Sequence, residues 1–412
     1  MSTSPFAAPA GTVAPAVRKV RPAFVAQAGL VGSALALYTL VLVQGGLYHQ
    51  DLDAYLAAGR AVWQGQPLYA PFLHHPFPDP ALRPAYIYPP VFAVLVAPLA
   101  LLPSAAANVV WLLIGQVALA AALVVTLRWL RPSAWAVTAI ICATATFYPL
   151  WIDAVQGQAN LLIVLLVTLG IAGIVQGKPR FGAALGMAAA LKLSPLILLA
   201  WLLLDRRIRE AAWMLGAFAA VTAATALWRF DDTLTFFRQV LPALAQGTAI
   251  YANQSLQGVI ARVATVNPYT QPWMVIPRVY LLPAVLTIAF IGLWFWGTRH
   301  QPALLRAAAF LPLLPLASAV TWPHHLVILL PVFWFCVIAI SQRAWPIPST
   351  MMLGALLLVF SVVARWPVGP AFNQPGFRAA QTADPAVFVV ANALFFGTLA
   401  LFLLAPWLLR TR

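Results

Sequence analysis

Of 412 residues, 63% are hydrophobic and only 8% are charged, whereas ordinary soluble domains carry roughly a quarter charged residues. That leaves too little polar side-chain material to cover a water-soluble fold, so a soluble enzyme or scaffold is excluded. The formal charge of +15 is scattered in short clusters between apolar runs, which argues against a nucleic-acid partner, since such a partner requires a basic patch or stripe.

Residues 1–22, rich in Ala, Pro, Ser and Thr, read as a disordered cytoplasmic tail. The apolar run 23–43 is too long for a signal-peptide core and lacks a small-residue cleavage site, so it is expected to be a retained first span. Further full-length spans are expected near 107–127, 134–151, 159–176, 211–229, 276–297, 303–320, 326–342, 350–366 and 387–409. Residues 90–102 begin after Pro89-Pro90, end at Pro103 and are short for a crossing, which predicts a segment that dips in and out. Residues 181–204 are long enough but are interrupted by Lys192 and Pro195, which predicts a broken hairpin.

Basic residues decide the count. With the N-terminus inside and these two stretches not crossing, 15 of the 24 Lys and Arg fall in the cytoplasm. The expectation is therefore an all-α polytopic protein with ten spans, both termini inside, and one membrane domain over 23–412. Seven of the nine acidic residues then face outward, and 44–89 and 230–275 become the two large external segments. Leu52, Tyr55, Leu56, Gly59, Val62 and Trp63 form one apolar stripe at helical spacing. Phe237, Val240, Leu241 and Leu244 form another, and each predicts a helix lying in the interface. Cys142 and Cys336 sit inside apolar runs and imply neither a disulfide framework nor a thiolate metal site.

Ionisable groups at membrane depth are costly, so each carries a functional hypothesis. Asp51 and Asp53 follow the first span. One carboxylate would suffice to cap the interfacial helix, and a second leaves room for a general base toward a sugar hydroxyl. Tyr86 and Tyr88 lead into the dip, where they either anchor at the interface or stack on a sugar ring. Asp153, Gln156, Gln158 and Asn160 crowd a short connection on the external side and either bind a polyol or satisfy helix ends. Lys192 lies at the apex of the broken hairpin, where it could hold an anion or snorkel outward. Asn253, Gln254 and Ser255 with Arg262 suit either a site or a solvated loop. His324 and His325 suit hydrogen bonding to phosphate or carboxylate better than metal, because adjacent histidines on a helix diverge. His74-His75 reads as surface.

Several of these pieces occur in a familiar order. They are Asp51-Leu-x-x-Tyr55, Gly65-x-x-Leu-Tyr69, Tyr88-Pro-Pro90, Gly157-Gln-x-Asn160, Leu191-Lys192-x-x-Pro195, Asn253-Gln-Ser255 with Arg262, and Trp322-x-His-His325. This set resembles the polyprenyl-phosphate-sugar-dependent glycosyltransferases of family 87, within the GT-C superfamily, from about residue 50 to 330. The resemblance implies a GT-C-like helical fold with a cavity at the non-cytoplasmic face of a bacterial plasma membrane. It implies a polyprenyl-phosphate-mannose type of donor, with arabinofuranose carriers also used in the family, a lipid or glycan acceptor, and no cofactor.

The family's acidic base falls on Asp51, with Asp53 as its possible substitute, and its histidine pair falls on His324 and His325. Direct displacement with one carboxylate base would invert the anomeric carbon without an obligatory metal. The substrate-binding set is then Tyr55, Tyr86, Tyr88, Gln158, Asn160, Lys192, Asn253, Ser255 and Arg262. The rival reading is a polytopic transporter or flippase of a lipid-linked or anionic substrate, which also uses broken helices. A scaffold or assembly factor is the third.

Overall fold

The computed structural model describes residues 22–45, 50–74, 85–363 and 382–410, and every regular element within them is helical. The expected cytoplasmic tail, apart from Pro22, lies outside these ranges, as do His75 and Asp79 of the expected external loop. Five helices are long and apolar enough to cross a bilayer: Pro22–Gly45, Ser104–Leu130, Ile208–Trp228, Val279–Thr298 and Pro323–Gln342. Two bent pairs raise the number to seven. Ala134–Ala145 and Tyr148–Gln156 meet at 50°, and Pro385–Ala391 and Ala393–Leu408 meet at 70°. The remaining three expected spans are apolar helices of 10–17 residues: Asn160–Val175, Ala303–Ala317 and Ile347–Ser361.

The breaks have local causes. Pro149 stands in the first turn of Tyr148–Gln156, where its ring suits a helix start but forbids continuation from the preceding helix. The stretch expected to dip is built of short helical pieces. Pro90–Val96 starts at its own proline, a 3₁₀ turn covers Leu99–Leu101, and Pro103 caps the Ser104–Leu130 helix. The stretch expected to be broken stops at Leu191, passes through an extended Lys192, and resumes as a 3₁₀ turn over Ser194–Ile197 followed by Leu198–Leu204.

Two apolar clusters organise the chain. The larger runs through the bundle and includes Phe147, Trp201, Trp294, Phe310, Phe333, Trp334 and Phe360. The smaller gathers the two expected external segments and the dip: Leu52, Tyr55, Leu56, Val62, Tyr86, Tyr88, Phe92, Val96, Phe236 and Val240. The first stripe therefore packs on the protein, with Trp63 alone exposed and its indole N–H donating to the Ala97 carbonyl at 2.7 Å. The second stripe is corrected at one residue, since Val240 is buried and Leu241 and Leu244 pack against the same cluster. Phe236 is buried and Phe237 is 37% exposed, because Phe236–Val240 is a π-helical turn. Its wider hydrogen-bond step shifts the inward face by one residue relative to 3.6-residue spacing. Arg229 joins the two segments, binding Asp232 at 2.6 Å and the Gln66 carbonyl, while Asp232 accepts from the Leu68 N–H at 2.9 Å.

At another level of the bundle, Asp205 accepts from Arg306 Nε at 2.7 Å and from Trp201 Nε1 at 2.9 Å, tying Leu198–Leu204 to Ala303–Phe310. The helices Gly182–Leu191 and Ile208–Trp228 touch backbone to backbone. A Cβ on Gly182 would collide with the Glu210 carbonyl oxygen, and one on Gly186 with that of Met214. Gly186→Val is therefore expected to destabilise the protein by about 1–3 kcal/mol, the usual range for overpacking. The check is the melting temperature of detergent-solubilised protein; an unchanged value would show that the seam can open freely.

Candidate functional site

The Gln50–Gln64 helix follows the first membrane helix and carries Asp51 and Asp53 in its first turn. Two residues apart on a helix lie about 200° apart around its axis, so the two carboxylates cannot serve the same site. Burial of Leu52, Tyr55 and Leu56 fixes the helix's rotation. That rotation brings Asp51 against the connection at 157–159, and its Oδ2 accepts a short hydrogen bond from Gln158 Nε2. Asp53 stays half-exposed on the other side.

Gln158 is the hub of the site. Gly157 ends the Tyr148–Gln156 helix at φ 70°, a left-handed conformation that favours glycine, and this turn presents Gln158 to the interior. The Gln158 carbonyl oxygen accepts from the hydroxyls of both Tyr55 and Tyr88, each at 2.9 Å. With the oxygen occupied by two donors, the amide N–H₂ must face Asp51. Burial pushes the Asp51 carboxyl up to about 6, against the opposing pulls of the Gln158 N–H and the Lys192 charge. Burial also raises the Tyr55 and Tyr88 phenols above their ordinary range, which keeps them as hydroxyl donors. Tyr55 meets the Tyr88 and Phe92 rings edge-on at 5.2 and 4.8 Å. The Tyr86 hydroxyl instead donates to the Pro89 carbonyl at 2.6 Å, bracing the turn into the dip.

A second amide is arranged the same way. Asn160 Nδ2 donates to Asp153 Oδ1 at 2.8 Å and to the His324 carbonyl at 3.4 Å, and its Oδ1 accepts from Lys192 Nζ at 2.7 Å. The ammonium also lies 5.5 Å from the centre of the Tyr88 ring, within cation–π range. Asp51, Gln158, Tyr88, Lys192, Asn160 and Asp153 therefore form one continuous assembly, in which Asp51 and Lys192 are half-buried and the others buried. His324, 5% exposed, packs edge-on to His325 at 4.6 Å, with both its ring nitrogens free of protein partners. His325 Nδ1 accepts from the Trp322 N–H at 3.3 Å.

Asn253, Ser255 and Arg262 lie in a separate network. Asn253 Nδ2 donates to the Thr248 and Ala319 carbonyls at 2.9 and 3.0 Å, and its Oδ1 accepts from the Thr321 N–H at 2.8 Å. Ser255 caps the Leu256–Ala264 helix by accepting from Gly258 N at 3.0 Å. Arg262, completely buried, binds the Ile250 and Asn253 carbonyls at 2.7 and 2.9 Å and Asn392 Oδ1 at 2.5 Å. Burial lowers its guanidinium to about 9. This corner fixes the 319–321 backbone that leads into the histidine pair.

Sequence reading missed Trp111, whose indole donates to the Gly157 carbonyl at 2.8 Å and whose ring packs on Phe92. A tryptophan inside an apolar run carries no signal of this kind. It weighed Asp153 as a candidate but left it out of the substrate-binding set, although that carboxylate is 1% exposed and its Oδ2 has no protein partner. One turn beyond Trp111 an apolar groove of about 370 Å³ opens, lined by Val110, Leu113, Ile114, Val117, Ala118, Leu162 and Leu165.

The sequence profile of glycosyltransferase family 87 matches residues 86–323, more than half of the chain. A polyprenol-phosphate-mannose-dependent alpha-(1-2)-phosphatidylinositol mannoside mannosyltransferase of Mycobacterium tuberculosis is 28% identical over 82% of this chain and 80% of its own length. Its counterpart in Mycolicibacterium smegmatis is 28% identical over 78% of this chain and 77% of its own length. A Mycobacterium tuberculosis polyprenol-phosphate-mannose-dependent alpha-(1-2)-phosphatidylinositol pentamannoside mannosyltransferase is 27% identical over 97% of this chain and 91% of its own length.

Proposed function

From the premise that this chain belongs to glycosyltransferase family 87 and is a multi-pass membrane glycosyltransferase, we propose that it transfers mannose from a polyprenyl-phosphate carrier to a mannosylated lipid. The donor and acceptor follow the names of its mycobacterial relatives. Read as ten spans with both termini inside, on the distribution of its basic residues, the chain carries the Asp51 assembly on the non-cytoplasmic side.

Asp51 is the general base. It takes the proton of the acceptor hydroxyl as that oxygen attacks the anomeric carbon from the face opposite the phosphate. The anomeric carbon–oxygen bond breaks, the phosphate leaves with its electron pair, and configuration inverts. The Gln158 amide, held by two tyrosines, fixes the base, and Lys192, with His324 beside it, offsets the charge that grows on the leaving phosphate. Because the lysine supplies that positive charge, transfer is metal-independent. The donor's isoprenoid chain lies along the Val110–Leu165 groove, which begins next to Trp111. Asn253, Ser255 and Arg262 serve the substrates through the backbone they hold. The observation that carries this reading is the half-buried, amide-bound Asp51 within one assembly that also contains Lys192.

The test is transfer of radiolabelled mannose from its polyprenyl-phosphate carrier to a membrane-lipid extract, by purified protein in nanodiscs with EDTA. Label should move to a lipid product, and Asp53→Asn, on the opposite side of its helix, should transfer at close to the wild-type rate. If no polyprenyl-phosphate sugar yields product, the reading fails and transport of a lipid-linked substrate replaces it.

A further inference from the structure

Lys192 is half-buried among protein groups, yet no carboxylate touches it. The ion pairs among the described residues are Arg207–Glu210, Arg229–Asp232 and Arg306–Asp205. The ammonium is held instead by the carbonyl oxygen of Asn160, whose N–H₂ is held by Asp153. Asp153 lies in the Tyr148–Gln156 helix, 1% exposed, with Oδ1 on Asn160 and Oδ2 without a protein partner. A buried carboxylate and a partly buried ammonium are each unfavourable alone. Here one neutral amide separates them and orients itself between them.

We propose that Asp153 is a positioning residue that acts as the remote counter-ion of Lys192, keeping it an ammonium through Asn160 while leaving its other N–H donors free for the donor phosphate. A direct Lys–Asp bridge would balance charge as well, but it would put a carboxylate where the phosphate must sit and occupy the same donors. The interposed amide avoids both. Its oxygen takes one of the three N–H groups of the ammonium, and the Asp153 charge lies one residue further away. The Asp153–Asn160 bond also fixes the amide, since a flipped Asn160 would present N–H₂ to the ammonium.

This inference rests on the reading of Lys192 as a phosphate ligand, and the test separates the two. Binding of a short-chain isoprenyl phosphate is measured by titration calorimetry on full-length protein in nanodiscs, with melting temperatures alongside. The set is wild type, Asp153→Asn, Lys192→Met and the double variant. Lys192→Met and Asp153→Asn should each weaken binding about tenfold or more, as loss of a hydrogen bond to a charged group implies. Because Asp153 acts only through Lys192, the double variant should bind no worse than Lys192→Met alone.

Additive losses, or tighter phosphate binding in Asp153→Asn, overturn the proposal, since the carboxylate would then act independently or merely repel the ligand. An unaffected Lys192→Met overturns the phosphate role itself. Should Asp153→Asn prove too unstable to assay, the double variant must melt higher than it does, because removing both charges leaves neither uncompensated. A double variant no more stable than Asp153→Asn also overturns the counter-ion role.

Discussion

Asp51→Asn is expected to lower turnover by about 10²–10⁴-fold, the contribution of a positioned general base, while leaving the apparent affinity for the donor nearly unchanged. The replacement amide is the same size and can still accept from Gln158, so the loss isolates proton transfer from packing. The pH profile supplies a second reading. Burial raises the Asp51 carboxyl to about 6, and a base works only when deprotonated. Activity should thus be full above that value and fall about tenfold per pH unit below it, well before an ordinary aspartate near 3.9 would titrate. A wild-type profile flat down to pH 5, or an active Asp51→Asn protein, would remove Asp51 from the chemistry.

The second large effect concerns the leaving group. Lys192→Met keeps the length and apolar stem of the side chain and removes the charge, so transfer should slow by about 10²–10³-fold, as when one electrostatic stabiliser of a developing anion is deleted. Lys192→Arg should not restore the rate, because a planar guanidinium cannot take the place of a compact ammonium between the Asn160 oxygen and the Tyr88 ring. Initial rates with saturating acceptor separate this from a binding defect. If Lys192→Met raises only the donor KM, the lysine anchors the ground state and does not assist departure.

Much of this could be read from the chain because membrane physics leaves few choices. Apolar length predicted the long helices, and the prolines at 89, 90, 103 and 195 marked the dip and the break. Asp51, Gln158, Asn160 and Lys192 stood out because polar side chains are conspicuous in apolar surroundings. What could not be read was pairing. Nothing in the spacing of Asp51 and Gln158, 107 residues apart, shows that they meet, and nothing local separates Asn160 in the assembly from Asn253 in a scaffold. The bends were also hidden, since an apolar run of span length looks the same whether straight or folded by 50° at Phe147. The π turn at Phe236–Val240 escaped because amphipathic patterns are read with a fixed 3.6-residue period.

The glycine seam between Gly182–Leu191 and Ile208–Trp228 makes the position of Lys192 a matter of helix geometry. Ten residues rise about 15 Å, half the thickness of a hydrocarbon core, and Lys192 stands at the end of that rise. Gly182 and Gly186 set the helix directly against backbone carbonyls of its neighbour. The seam works as a ruler. It holds the Lys192 ammonium at one height above the far end of the helix.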